Sequence, residues 1–487
     1  MNKNLTSLKP ALVWKHFAEI VNIPRPSHSE EKIRQYLVDF AVAHSIEHQV
    51  DEAGNVYMRK AATAGMEDRK GIVIQAHVDM VPQKNNDKVF DFINDPIEAY
   101  IDGEWVTANG TTLGADNGIG VAAILAVFED DTVPHGPIEA LFTATEETGM
   151  DGAFGLKEGL LQGDILLNLD SETEGELYVG CAGGMDVSAE KPIEAVDAPA
   201  EGYKALEIAV KGCKGGHSGI QIICQRANAN KLLARVLRRL SGVADWKLAA
   251  IDGGGLRNAI PREATAVVLV EESKLAAVQA EVEAFEALAI AEFAGIEDAI
   301  SIKATECAAP AKVMSDKDAR ALVAALVACP DGVDKMSMAM EGLVQTSNNM
   351  ARVVYADDKV KVQCLTRSSV RSEKEALGDA IKAALELAGF DVVLSGSYDG
   401  WAPNMESPIL KAMLESYNAL YGKVPAVTAI HAGLECGIIG GKYPNLDMIS
   451  FGPTICYPHS PDEKVEIASV AKFYDFLLHT LKNAPKK

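Results

Sequence analysis

The sequence predicts an α/β fold, a mostly parallel sheet with helices, interrupted by a large α+β insertion in two parts. Three observations predict it. The chain has 487 residues, enough for two to four domains at roughly 150 residues each. Its first part alternates helix-type and strand-type segments, and the strand-type segments are apolar on both faces, as in a parallel sheet covered on both sides. Its middle part then changes character before the alternation resumes near residue 400.

In order, Leu8 to Asn22 reads as a helix. Ser27 and Glu30 form a capping-box pattern ahead of a second helix, whose Ile33, Leu37 and Phe40 share one face. Strands are expected at Asn55 to Arg59, Gly71 to Ala76, Ile138 to Thr143 and Asp164 to Leu169, with a helix from Gly118 to Phe128. In the insertion, strand-type runs at Ala205 to Val210 and Ala264 to Val270 flank a helix at Ala227 to Leu240. A second cycle follows: Ile300 to Ala304, a helix at Asp318 to Cys329, strands at Ala351 to Tyr355 and Lys359 to Leu365, and a helix at Ser372 to Ala388. Helices at Leu410 to Tyr421 and Ala468 to Leu481 close the chain. The reading is one discontinuous α/β domain, residues 1–185 and 400–487, interrupted by an α+β domain at residues 186–399.

Composition narrows the function. Hydrophobic residues make up 48% and charged residues 24%, as in ordinary globular proteins, and the formal net charge is −23. That charge argues against nucleic acid and anionic membrane surfaces as partners, since both call for clustered Lys and Arg. The longest apolar run, Val121 to Phe128, is far short of a membrane span. No secretion signal is legible, and the eight cysteines include no CxxC pair, so a cytoplasmic location is expected.

Ligands of open parallel sheets gather beyond the carboxyl ends of the strands, and polar residues cluster there in this sequence. His77 and Asp79 follow GIVIQA two residues apart, on one face of an extended chain. As a pair they suit a metal-binding imidazole beside a carboxylate, or equally a structural histidine with an N-capping Asp. Asp116, within GADNG, reads alone as an N-cap. Glu146 and Glu147 follow IEALFT, Asp170 closes DILLNLD, and His459 lies in PHSPDE after another apolar stretch. Together they make a nitrogen-and-oxygen donor set without thiolate, suited to zinc or a similar divalent ion, with a carboxylate able to bridge two ions.

The stretches HVDMVP, GADNGIG, TATEETGMDGA, NLDSE, HAGLECG, FGPTI and HSPDE resemble the M20 metallopeptidase family, most closely its aminoacyl-histidine dipeptidase branch, over essentially the whole chain. The resemblance implies a zinc-peptidase catalytic domain and makes the insertion a lid. It implies His77, Asp116, Glu147, Asp170 and His459 as metal ligands, with Asp116 bridging two ions. His77 and Asp170 would hold one ion, and Glu147 and His459 the other. It further implies Glu146 as general base, Asp79 as the acid that orients His77, and a cis peptide between Asp116 and Asn117.

In the lid, the resemblance implies His217 of GGHSG at the substrate carbonyl and Asn258 and Arg367 at its carboxylate. Gly433, with His431, in HAGLECG, would face the site from the catalytic side, where glycine permits close backbone approach. The expected cofactors are two divalent ions, zinc first, with cobalt or manganese also accepted by such a donor set. The expected activity is hydrolysis of unblocked dipeptides, including those ending in histidine, and relatives suggest a homodimer. Two other readings stay open: an N-acyl amino acid amidohydrolase of the same family, and a non-catalytic peptide-binding protein on the same scaffold.

Overall fold

The computed structural model describes residues 3–487. The chain packs into two compact units: Met1–Cys181, Trp401–Ala429 and Leu434–Lys487 form the first, and Ala182–Gly400 with Ile430–Gly433 the second.

The first unit is built on an eight-stranded sheet, in the order Glu47–Val50, Val56–Lys60, Ile138–Thr143, Ile72–His77, Ile165–Asn168, Asp447–Ser450, Glu176–Cys181 and Ala426–Ile430. Its middle is parallel: Ile72–His77 pairs in parallel with both Ile138–Thr143 and Ile165–Asn168, and the latter with Asp447–Ser450. Strands flanking this middle join it antiparallel. The parallel strands Ile72–His77, Ile138–Thr143 and Ile165–Asn168 are buried at every residue, which accounts for their largely apolar sequences.

The helix Ala115–Glu129 lies against strand Ile72–His77 and helix Ala11–Ile20, and is buried from Ala115 to Phe128. A helix apolar all round belongs inside a protein, as its sequence implied. Its backbone leaves helical geometry at Asp116 and Asn117, and the peptide between them is cis.

The capping box expected at Ser27 and Glu30 does not form. The helix begins at Glu31, and no side chain caps it. Ser27 instead donates to Asp79 at 2.7 Å, while Glu30 accepts from the Thr145 hydroxyl at 2.8 Å. Both residues are engaged by the loops beyond the parallel strands, and the helix starts without them.

The second unit carries a nine-stranded antiparallel sheet to which both cycles contribute. The first cycle supplies strands Tyr203–Lys211, Trp246–Gly254 and Ala264–Glu271 with helices Ala229–Leu240 and Leu275–Glu292, and Ser301–Glu306, which the sequence places at the start of the second cycle, instead pairs with Tyr203–Lys211 on the first-cycle side. The second supplies Gly332–Met336, Val344–Ala356 and Lys359–Ser368, with Gly183–Pro192 and then Asp391–Tyr398 alongside Lys359–Ser368, and helices Asp316–Ala328 and Arg371–Leu387. The halves meet where Asp252–Gly254 pairs with Arg352–Val354. One apolar core, running from Val187 through Leu233 and Phe285 to Ile381, lies under both halves. Among the described residues, no helix is long and apolar enough to cross a membrane.

Candidate active site

In the first unit, the loops leaving the parallel strands bring the predicted polar residues together. His77 is the last residue of its strand and is buried. Its Nδ1 lies 3.3 Å from Asp79 Oδ1, and its Nε2 faces Asp116 Oδ1 at 3.1 Å and Asp170 Oδ1 at 3.2 Å. Asp79, fully buried, accepts from the Ser27 hydroxyl and from the amides of Glu146 and Glu147 at 3.0 and 3.2 Å, and meets His77 as a close charge partner. It therefore ties the imidazole and the Glu146–Glu147 loop to one carboxylate. Burial pushes the Asp79 carboxyl up, but His77 and these donors outweigh burial and hold it near 2.

Asp116 does not act as an N-cap. While Oδ1 faces His77, its Oδ2 lies 3.2 Å from Nε2 of His459, which in turn is 2.9 Å from Glu147 Oε2. The two oxygens of one carboxylate thus point to two separate imidazole–carboxylate pairs. The Asn117 amide donates to the carbonyl of Leu169 at 2.9 Å and to Asp170, tying the helix start to the strand that carries Asp170.

The donor set fits metal ions. Two groups, His77–Asp116–Asp170 and Asp116–Glu147–His459, share Asp116, and each offers ligand atoms within 4.8 Å of one another. Separations of 2.9–3.2 Å approach the roughly 3.3 Å edge of a tetrahedron with bonds near 2 Å. The charge balance points the same way. Burial pushes the Asp170 carboxyl up to about 6 against the pull of His77, and burial with the charges of Asp116 and Asp170 pushes Glu172 to about 8. His459 is held up at about 11 by its bonds to Asp116 and Glu147. This is the electrostatics of concentrated negative charge, which favours a bound cation.

Glu146 lies in the same cluster, with a carboxylate oxygen within 4.8 Å of ligand atoms from His77 and Glu147. Burial, and the nearby Asp170, Glu435 and Glu147, push its carboxyl well above the usual range against the opposing pull of His77. Behind the cluster runs a fully buried network that the sequence reading missed. Glu435 accepts from Gln75 at 2.6 Å and from Thr143 at 2.7 Å, and Gln75 accepts from Asn168. The available signal was a polar residue within each of three apolar strands: Gln75, Thr143 and Asn168.

In the second unit, His217, Arg367 and His431 converge around Gly219. A Cβ at Gly219 would lie 2.2 Å from the His431 carbonyl oxygen, 3.1 Å from His217 and 3.2 Å from Arg367 Nε, so only glycine fits. His217 Nδ1 accepts from the amides of Gly219 and Ile220, both at 3.1 Å, which leaves the proton of the neutral ring on Nε2. Arg367 is buried, its Nη1 lies 3.4 Å from the Tyr398 hydroxyl, and among the described residues its Nε has no hydrogen-bond partner.

His431 Nε2 sits 2.7 Å from the Ser347 hydroxyl, a residue with no signal in the sequence. Asn258 is exposed, and its carbonyl accepts from Ser218, which brings it beside the GGHSG loop. Gly433 lies two residues beyond His431 on the Ile430–Gly433 segment, which packs with the second unit and not, as the sequence suggests, with the catalytic one. Burial, with the Arg367 charge, lowers His217 and pushes His431 down to about 3.

A strand-end imidazole–carboxylate cluster on a parallel sheet, with a two-cycle α+β unit inserted in the chain, defines a metallopeptidase-like enzyme. Residues 73–483 match the model of peptidase family M20/M25/M40, and the chain belongs to that family. It is 45% identical over 483 residues to the cytosol non-specific dipeptidase of Escherichia coli K12, covering 99% of each chain. It also matches the crystal structure of aminoacylhistidine dipeptidase from Vibrio alginolyticus, with a TM-score of 0.95 and 46% identity over 99% of this chain and 98% of that one. The aminopeptidase PepT of Bacillus cereus shares the fold at a TM-score of 0.58 and 15% identity, covering 98% of this chain and 99% of that one.

Proposed function

We propose that this chain is a dimetal dipeptidase that hydrolyses unblocked dipeptides, those ending in histidine among them. The observation that carries the reading is Asp116, whose two oxygens face two imidazole–carboxylate pairs with Glu146 alongside. The activities for which the Escherichia coli and Vibrio alginolyticus relatives are named support the substrate class, and the former supports a cytoplasmic location.

His77 and Asp170 would hold one ion, Glu147 and His459 the other, with Asp116 common to both. Two such cations supply Lewis-acid polarisation of the peptide carbonyl and a water of near-neutral pKa, with zinc the first choice for this donor set and cobalt or manganese alternatives. Asp79 keeps the His77 ring turned toward the cluster. Glu146 takes the proton from the attacking water and passes it to the leaving amine. His217, protonated on Nε2, donates to the oxygen of the carbonyl as charge develops there. Arg367, aided by Asn258 and Gly433, grips the free carboxylate, since a planar guanidinium can form two parallel bonds to it. That grip would select substrates that carry a free carboxylate.

The test pairs metal analysis with a substrate panel. Wild-type protein, stripped by a chelator and reloaded with zinc, should regain cleavage of Ala-His and β-alanyl-histidine and leave N-acetyl amino acids untouched. Cleavage of the N-acetyl compounds instead would make it a deacylase, and binding of dipeptides without cleavage would make it a binding protein. Glu146→Gln should keep its zinc and fold while kcat falls by about 10²–10⁴-fold; activity near that of wild type would remove Glu146 from the proton-transfer role. Sedimentation of the same sample would read the homodimer that the resemblance suggests.

A further inference from the structure

Two buried side chains of opposite charge, neither in the ligand set, grip the turn that presents Asp116. Arg25 is 1% exposed. Its Nη1 donates to the carbonyls of Val78 and Asp79, both at 2.8 Å, and its Nη2 to the carbonyl of Gly114. Glu463, 2% exposed, accepts from four successive amides: Leu113 at 2.8 Å, Gly114 at 2.9 Å, Ala115 at 2.8 Å and Asp116 at 3.3 Å. The turn is thus held through its amides by an anion and through a carbonyl by a cation.

The glycines of GADNG fit this arrangement. Gly114 has φ 71°, and a Cβ there would lie 2.6 Å from Arg25 Nη2; a Cβ on Gly118 would lie 2.7 Å from the same atom. The space these residues leave empty is the space the guanidinium fills. Among the described residues, neither Arg25 nor Glu463 forms a salt bridge within 4.0 Å. Each charge is committed to backbone dipoles instead. A charge buried without a direct counter-charge is costly unless it is hydrogen-bonded; Glu463 meets four amides with its two oxygens, and both Nη atoms of Arg25 meet carbonyls, while among the described residues its Nε has no partner. These two place their bonds on the segments that carry His77, Asp79 and Asp116, and Glu463 itself follows His459 by four residues.

We propose that Arg25 and Glu463 are positioning residues that set the Asp116 carboxylate midway between the two imidazoles, and so set the affinity and geometry of the metal pair. The inference rests on the dimetal reading. A purely structural role would lower the stability of the protein and leave the metal affinity of the folded chain alone. A positioning role changes the affinity itself, because partners that orient a ligand typically contribute about 10–100-fold in metal binding.

The experiment uses the full chain as Glu463→Gln and Arg25→Lys. It measures zinc affinity by chelator competition, the visible absorption of the cobalt(II)-loaded protein, the melting temperature of metal-free protein, and kcat and KM separately. Glu463→Gln keeps the side-chain length but turns half of its acceptor into a donor facing amides. It should weaken zinc binding about 10–100-fold, alter the cobalt spectrum, and lower kcat with KM little moved. Wild-type zinc affinity and an unaltered cobalt spectrum in both variants, whatever happens to the melting temperature, would overturn the inference. If Glu463→Gln does not fold, Glu463→Asp, which keeps the charge and shortens its reach, replaces it under the same criteria. A wild-type chain that takes up neither zinc nor cobalt would remove the dimetal reading, and this inference with it.

Discussion

Each of the two units gathers histidines, and opposite surroundings give them opposite properties. In the first, His77 and His459 face carboxylates, which raise their proton affinity. In the second, His217 and His431 stand near Arg367, and burial and that positive charge lower it. One cluster is anionic and calls for cations. The other is cationic, with a guanidinium nitrogen that has no partner among the described residues, and calls for an anion such as a substrate carboxylate. The same residue type is therefore suited to metal ligation in one unit and to a neutral hydrogen-bonding role in the other, and burial together with the neighbouring charge makes the difference.

Three experiments would break or sharpen that contrast. The largest effect is expected from His217→Ala. Loss of a donor to a developing oxyanion costs about 10²–10³-fold in kcat. Metal content should be unaffected, since His217 is no ligand; a drop in bound zinc equal to the drop in activity would join the two clusters' roles and contradict the contrast.

A smaller loss is expected from Arg367→Met. Charge-assisted hydrogen bonds contribute about 1.5–3 kcal/mol, so kcat/KM for dipeptides should fall by about 10–150-fold. The corresponding dipeptide amides should be poor substrates of the wild-type chain and hardly affected by the substitution. Equal losses on acid and amide would show that Arg367 does not read the carboxylate.

The smallest effect concerns stability. An unfolded histidine titrates near 6.5, whereas in the fold His431 is pushed down to about 3 by burial and Arg367. Above pH 6.5 both states leave it neutral and its contribution is complete. As the pH falls below that value the unfolded chain binds the proton first, so stability is lost at up to about 1.4 kcal/mol per pH unit from this group. His431→Asn should flatten the acid limb of a melting-temperature profile; an unchanged slope between pH 6 and pH 4 would mean that His431 titrates normally.

Much of the first unit was legible because its strands are buried on both faces. The run Ile138 to Thr143 was read with its observed bounds, and GIVIQA was displaced by a single residue. The capping box was not, because the fragment Ser27 to Glu30 satisfies a local rule whose partners are taken by residues far along the chain, Asp79 and Thr145. In the second unit, strand Trp246–Gly254 and helix Leu275–Glu292 were passed over. Among the site residues, Glu435 and Ser347 gave no local signal, since a single Glu or Ser carries none until its partners are known.

By itself the sequence determined the kind of chemistry. Imidazoles and carboxylates without thiolates, placed after successive apolar strands, restrict the donor set, and the motifs around them mark the family. Only the tertiary structure decided how those groups divide. His459 reaches Asp116 across 343 residues of chain, so which oxygen of Asp116 each histidine faces is set by strand order and loop path. The same holds for the proton on His217, fixed by two backbone amides, and for the grip of Arg25 and Glu463 on the Asp116 turn. Such arrangements depend on distances of a few ångströms between distant segments, and those distances exist only once the chain is packed.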